Sequence, residues 1–149
     1  MSLLLDVKDL TVRFALPKPS LFAPAPQLEA VRKVSFQLEK GRALGIVGES
    51  GSGKTTTAMA AIRLTHSSGG QVLFEGEDLL SLDDEAMRQR RRDVQLIFQD
   101  PYSSLNPRKS IEEIVSLPLV VHKIGDSASR SQAVAKMLDL VGLPARVRR

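Results

Sequence analysis

The chain has 149 residues, of which 42% are hydrophobic and 26% are charged, a balance typical of one globular domain and not of a disordered chain. It contains no cysteine, which excludes a disulfide scaffold and a cysteine-ligated metal site. The net charge of +4 comes largely from two arginine clusters, and neither a membrane span of roughly 20 apolar residues nor a signal peptide is visible, so we expect a soluble chain.

The N-terminal third predicts strands around a proline-rich loop. Residues 3–14 contain apolar side chains at intervals of two, which indicates a bent or interrupted strand. Residues 15–27 contain four of the eight prolines and predict an exposed loop. A second strand is predicted around Val34, Phe36 and Leu38. The run Ala43–Val47 is apolar throughout, which is typical of a strand buried on both faces of a parallel sheet.

The remainder alternates between helices and strands. We predict a helix over Lys54–Leu64, a strand over Gln71–Phe74, a charged helix over Asp84–Arg92, a buried strand over Val94–Phe98, and helices over Ile111–Val115 and Ser129–Val141. Residues Tyr102–Arg108 are rich in turn formers. The last helix has apolar residues at helical spacing and is followed by Gly142, a common helix stop.

The strongest signal is GESGSGKT, residues 48 to 55, between a predicted buried strand and a predicted helix. It matches the phosphate-binding pattern G-x-x-x-x-G-K-[ST], in which glycines let backbone amides approach phosphate oxygens. Lys54 would reach the β and γ phosphates, and the Thr55 hydroxyl would bind Mg²⁺. The predicted nucleotide-binding residues are Gly48, Glu49, Ser50, Gly51, Ser52, Gly53, Lys54, Thr55 and Thr56.

A second stretch narrows the interpretation. From Leu3 to Leu143 the chain resembles the first half of an ABC transporter ATP-binding protein, of the subgroup that imports oligopeptides, dipeptides and nickel. The resemblance rests on residues 31–64, on residues 69–82, and above all on RRRDVQLIFQDPYSSLNPR, residues 90–108. It implies an α/β fold: a P-loop core with an N-terminal antiparallel β subdomain over residues 1–100, and the start of a helical subdomain from about residue 101. The resemblance implies that together these are one incomplete, truncated nucleotide-binding domain.

The resemblance also implies site residues and partners. Gln99 matches the glutamine that approaches Mg²⁺ and the γ-phosphate, and it follows an apolar strand pattern, where α/β sheets place ligand-binding residues. An aromatic residue near the end of the first strand stacks on adenine in this family; Phe14 is the candidate, with Phe22 as an alternative, and a plain core role for Phe14 stays open. The implied partners are membrane-spanning subunits and a second ATP-binding subunit, at the cytoplasmic face of the membrane.

Family motifs needed for hydrolysis do not occur in these 149 residues. We find no signature motif of the LSGGQ type, no apolar strand followed by Asp-Glu, and no switch histidine. Phosphoryl transfer to water also needs a group that orients the attacking water. We therefore expect weak nucleotide binding with little or no hydrolysis, and exposed apolar surface beside the phosphate-loop strand, whose neighbour in the family sheet would be missing.

Two function classes thus stay open from the sequence: the ATP-binding component of an importer, and a nucleotide-binding fragment without catalytic activity of its own. A small-molecule kinase is a third reading that residues 97–107 disfavour. Nucleic acid is not an expected partner. The arginines at 88–92 lack interleaved aromatics and are predicted to form a solvated helix face.

Overall fold

The structure is a computed structural model, and it describes residues 2–20, 24–100 and 105–148. The chain divides into two compact units, Met1–Val94 and Gln95–Arg149. Across the described ranges, no helix is long and apolar enough to cross a bilayer. Each unit is described below by itself.

The first unit is built on a four-stranded antiparallel sheet. Its strands are β1 (Leu3–Ala15), β2 (Gln27–Glu39), β3 (Gly69–Phe74) and β4 (Glu77–Asp78), in the spatial order β2-β1-β3-β4. The predicted strands over residues 3–14 and around Val34 are confirmed, and β2 begins earlier than predicted. The register of β1 with β2 shifts at several points, so the interrupted pattern of β1 reflects local bulges.

The proline-rich segment connects β1 and β2 as a long hairpin loop. The strand pair extends to Ala15 opposite Gln27, and the Leu16 amide donates to the Pro26 carbonyl at 2.8 Å. Residues 16–20 and 24–26 contain no strand or helix, as the prolines predict. Phe22, the alternative aromatic candidate, lies outside the described residues.

Two short helices pack with this sheet. They are α1 (Lys54–Ala61), three residues shorter than predicted, and α2 (Asp84–Arg90), whose N-cap Asp83 accepts from the Ala86 amide at 2.7 Å. The buried core joins apolar residues of both strands and helices, namely Val7, Leu10, Val12, Val31, Ala60, Ala61, Val72, Phe74, Leu79 and Met87. Small residues on α1 allow its backbone to lie close to the sheet.

Two predicted buried strands are wrong. Residues 43–47 and 94–98 form no strand, and Val47 is 95% exposed and Ile97 91% exposed. A parallel strand requires hydrogen-bonded neighbours, and no other segment of the described ranges pairs with either run. The exposed apolar surface expected beside the phosphate loop is therefore present, at Leu44, Ile46 and Val47.

The second unit contains α3 (Ile111–Val121), α4 (Ser127–Leu140) and a short 3-10 helix (Ala145–Arg148). Both predicted helices are confirmed, and α3 extends beyond its predicted end through Pro118. Each α-helix begins with a capping box, Ser110 with Glu113 and Asp126 with Ser129. Between them lies an apolar groove of about 490 Å³, lined by Ile111, Val115, Pro118, Leu119, Ala133, Val134, Met137, Leu138, Val141 and Leu143.

Candidate functional site

The predicted phosphate loop forms a solvent-facing turn that leads directly into α1. Residues 48–52 are exposed, and the Ser52 amide donates to the Glu49 carbonyl at 3.2 Å, which closes the turn. Gly51 has φ +80°, in the left-handed region that favours glycine. The loop thus presents backbone to solvent, as a phosphate cradle requires.

Gly53 is fixed by two independent constraints. Its φ is +89°, and a Cβ on it would lie 2.5 Å from the carbonyl oxygen of Ala30 in β2. The contact places the antiparallel sheet against the N-terminus of α1. The motif predicts a glycine here, but only the structure shows that β2 is the neighbour that excludes a side chain.

The N-terminus of α1 has no side-chain cap. Each of the other described α-helices begins with an N-cap side chain that accepts a hydrogen bond from a backbone amide. These N-cap residues are Asp83, Ser110 and Asp126. At α1 the N-cap is Gly53, which has no side chain, and the first turn contains no acidic residue. The amides that begin α1 and the positive end of its dipole are therefore available to an anion.

Lys54 lies folded over the loop. Its ammonium donates to the carbonyls of Gly48 at 2.8 Å and Glu49 at 2.5 Å, and it lies 3.4 Å from the Ser52 hydroxyl. These contacts hold a positive charge at the mouth of the turn. A phosphate in the cradle would meet this ammonium together with the backbone amides, which are the groups that the motif assigns to phosphate binding.

The other predicted site residues fall in two places. Thr55 is exposed and Thr56 is half-buried, both in the first turn of α1, while Thr57 is buried and donates its hydroxyl to the Gly53 carbonyl at 2.9 Å. Gln99 is exposed and belongs to the second unit. Its predicted magnesium role stays a prediction. Within the described ranges, no group of three or more His, Cys, Asp or Glu side chains could hold a metal ion.

Phe14 lies near the end of β1 and is 42% exposed. It is two residues from Val12, so both side chains lie on the same face of the strand, and Val12 is fully buried in the core with α1. Opposite Phe14 in β2 is Leu28, which is 52% exposed. Phe14 therefore continues the core face of β1 beyond the edge of the core, and a purely core role does not account for its exposure.

The arginines of residues 88–92 differ from one another: Arg88 and Arg92 are exposed, as the predicted solvated face requires, whereas Arg90 and Arg91 are half-buried. Arg88 pairs with Glu85, and Arg90 pairs with Glu77 and Asp93; these hydrogen bonds raise the pKa of both guanidinium groups. Arg91 is half-buried, and burial, with Arg63 nearby, lowers its pKa. Its guanidinium donates to the carbonyls of Ile62 and Arg63. Sequence reasoning missed this contact because its partners lie almost thirty positions away in the chain.

Comparison with known proteins decides the family. The model of the ABC transporter family matches residues 31–149. The chain belongs to the ABC transporter family. Among curated ABC proteins, it is 43% identical over 139 residues to the glutathione import ATP-binding proteins GsiA of Escherichia coli (strain K12) and Shigella boydii serotype 4 (strain Sb227). The match covers 93% of this chain and 22% of each relative, so the chain spans about a fifth of their length.

Solved ABC structures share the fold. The dimeric cassette MJ0796 bound to ADP and Pi superposes with a TM-score of 0.78 at 24% identity, over 97% of this chain and 60% of that one. CbiO1 of Clostridium perfringens, part of the complex cbiONQ, gives 0.71 at 19% identity, over 99% and 53%. The predicted fold class, an α/β P-loop fold of the ABC type, is therefore confirmed.

Proposed function

We propose that this chain binds ATP with Mg²⁺ at residues 48–56. The observation that carries the proposal is the uncapped N-terminus of α1, preceded by a glycine turn and covered by Lys54. An anion of several phosphates matches all three features: backbone amides, a positive helix end and the Lys54 ammonium. The GsiA relatives are named as ATP-binding proteins, and MJ0796 was solved with ADP and Pi, which supports the same ligand class.

Each residue has a distinct proposed role. The amides of the loop and of Lys54, Thr55 and Thr56 donate to phosphate oxygens, and Lys54 exchanges its carbonyl acceptors for the β and γ phosphates. Mg²⁺, when bound, would neutralise phosphate charge, and the Thr55 hydroxyl is its proposed ligand in the first unit. For Gln99 the magnesium role is proposed from the family resemblance alone. Phe14 offers an exposed ring for adenine, with Leu28 beside it.

At the level of the whole protein, we propose an ATP-binding component of an importer for peptides or a similar small solute. It would act at the cytoplasmic face of a membrane, together with membrane-spanning subunits and a second ATP-binding subunit. The importers named among its relatives and the dimeric MJ0796 structure support this role. Nucleic acid is not a proposed partner, since Arg88 and Arg90 are paired with carboxylates.

Titration of the purified chain with Mg–ATP tests nucleotide binding. We expect saturable binding that Lys54→Ala weakens by at least about tenfold, because Lys54 supplies the charge at the cradle. Lys8→Ala is a matched control, since Lys8 is an exposed strand lysine that pairs with Asp6. Equal affinity in all three proteins would refute the site.

Measurement of phosphate release under the same conditions distinguishes an ATPase from a nucleotide-binding fragment without catalytic activity. We propose that these 149 residues hold ATP without steady turnover, because the sequence contains no Asp-Glu pair after an apolar strand to orient water. Turnover that Lys54→Ala abolishes would contradict the non-catalytic reading and favour an ATPase. Loss of ATP only when an acceptor molecule is added would instead favour a kinase.

A further inference from the structure

The C-terminal end of α1 is held by two arginines, Arg63 and Arg91, which we call the arginine clasp. Arg91 donates to two successive carbonyls, those of Ile62 and Arg63, the latter at 2.9 Å. Arg63 itself has φ +55° and donates to the Leu82 carbonyl at 2.7 Å, near α2. The clasp thus joins the C-terminal end of α1 to the chain around α2, entirely within the first unit.

The clasp has a mechanical consequence for the phosphate loop. A helix of eight residues is only about 12 Å long, so a tilt at one end moves the other end. The face of α1 that meets the core carries the short residues Thr57, Ala60 and Ala61, which are buried and let the helix pack closely against the sheet. Each end has a further constraint: Gly53 against Ala30 at the N-terminus, and the clasp at the C-terminus.

The chemistry of the clasp requires arginine. A guanidinium presents several N–H groups in a rigid planar fork and can donate to two neighbouring carbonyls at once. The Ile62 carbonyl is at the C-cap of α1, where carbonyls carry partial negative charge and lack intrahelical partners, so a cation there is favourable. A lysine would keep the charge but not the two-pronged geometry.

We propose that Arg91 is a positioning residue for nucleotide binding: it holds the C-terminal end of α1 and thereby the orientation of the amides at residues 53–56. The inference rests on the proposed ATP site. It predicts that Arg91 affects the affinity of the folded protein for Mg–ATP although it lies at the end of α1 opposite the phosphate cradle.

The test uses the whole chain and three variants, Arg91→Lys, Arg91→Met and, as a matched control, Arg92→Met at the exposed neighbour. The dissociation constant for Mg–ATP is measured by calorimetry at a temperature where every variant is folded, and stability is measured separately by urea unfolding without nucleotide. The amide chemical shifts of residues 53–56 report the orientation of the cradle.

We expect Arg91→Met to raise the dissociation constant about tenfold, Arg91→Lys to raise it less because the charge remains, and Arg92→Met to change it less than twofold. The amide shifts of residues 53–56 should move in the same order. If both Arg91 variants lose stability but bind Mg–ATP as tightly as the wild type, Arg91 is only structural and the proposal fails.

Two further outcomes are decisive. If Arg91→Met does not fold, Arg91→Lys decides, and an unchanged affinity in that variant overturns the proposal. If the wild-type chain and Lys54→Ala show the same lack of Mg–ATP binding, the proposed function itself fails and the positioning role falls with it. The two failures are therefore distinguishable.

Discussion

Replacing Gly53 by alanine should destabilise the first unit more than any other single methyl group added to the phosphate loop. The new Cβ would lie 2.5 Å from the Ala30 carbonyl oxygen and 3.6 Å from the Ala30 carbonyl carbon, so the backbone of β2 or α1 must move. The φ of +89° adds strain of about 1–2 kcal/mol for a residue with a side chain. With about 1–3 kcal/mol for overpacking, the free energy of unfolding should fall by about 2–5 kcal/mol.

Gly51→Ala is the matched control, because Gly51 has φ +80° but a Cβ there would meet nothing within 4 Å. It should cost only the conformational term, about 1–2 kcal/mol. Urea unfolding of the wild type and both variants measures the difference, and Mg–ATP titration should show weaker binding by Gly53→Ala. If Gly53→Ala is no more destabilising than Gly51→Ala, the contact with Ala30 does not constrain the loop and the reasoning is wrong.

Three further predictions concern other parts of the chain. Ser110→Ala removes the N-cap of α3 and should lower the free energy of unfolding by about 1 kcal/mol, measured by urea unfolding, whereas Ser110→Asp should largely restore it. The Ser129 amide and hydroxyl lower the pKa of Asp126, so its stabilisation is present above the unfolded pKa and is lost as pH falls through the folded one. Urea unfolding at a series of pH values should therefore show the wild type losing stability relative to Asp126→Asn below about pH 4, and parallel pH profiles would contradict that. Val47→Thr should change the free energy of unfolding by less than about 0.5 kcal/mol, because Val47 is 95% exposed; a loss of 2 kcal/mol would instead indicate a buried strand at residues 43–47.

Local patterns predicted most of the secondary structure. Three kinds of signal act over only a few positions: the alternation in β1 and β2, the prolines between them, and the capping residues of α3 and α4. They can therefore be recognised without knowledge of the fold. The candidate site could be predicted for the same reason. The glycines, Lys54 and Thr55 are consecutive, and a nucleotide's phosphates contact consecutive amides at a helix N-terminus.

The wrong predictions share a different cause. Ala43–Val47 and Val94–Phe98 are apolar enough for buried strands, but burial requires neighbouring strands, and the described residues supply none. The composition of a segment indicates which secondary structure it favours, but it does not indicate which segments pack beside it. The error therefore concerned the environment of these residues and not their intrinsic preference.

The sequence by itself determined the candidate phosphate loop, the helices and the strands of the antiparallel sheet, and the resemblance to the ABC family, because each of these depends on residues close together in the chain. Only the tertiary structure placed Ala30 against Gly53, left Phe14 and Leu28 side by side at the end of the β1–β2 pair, and brought Arg91 to the two carbonyls that follow α1. The first and last of these contacts join segments about twenty to thirty residues apart in the chain. The contact between Phe14 and Leu28 joins opposite strands whose register is shifted by bulges. Folding decides such contacts, since they depend on how the sheet twists and where α1 packs, and no local spacing encodes either.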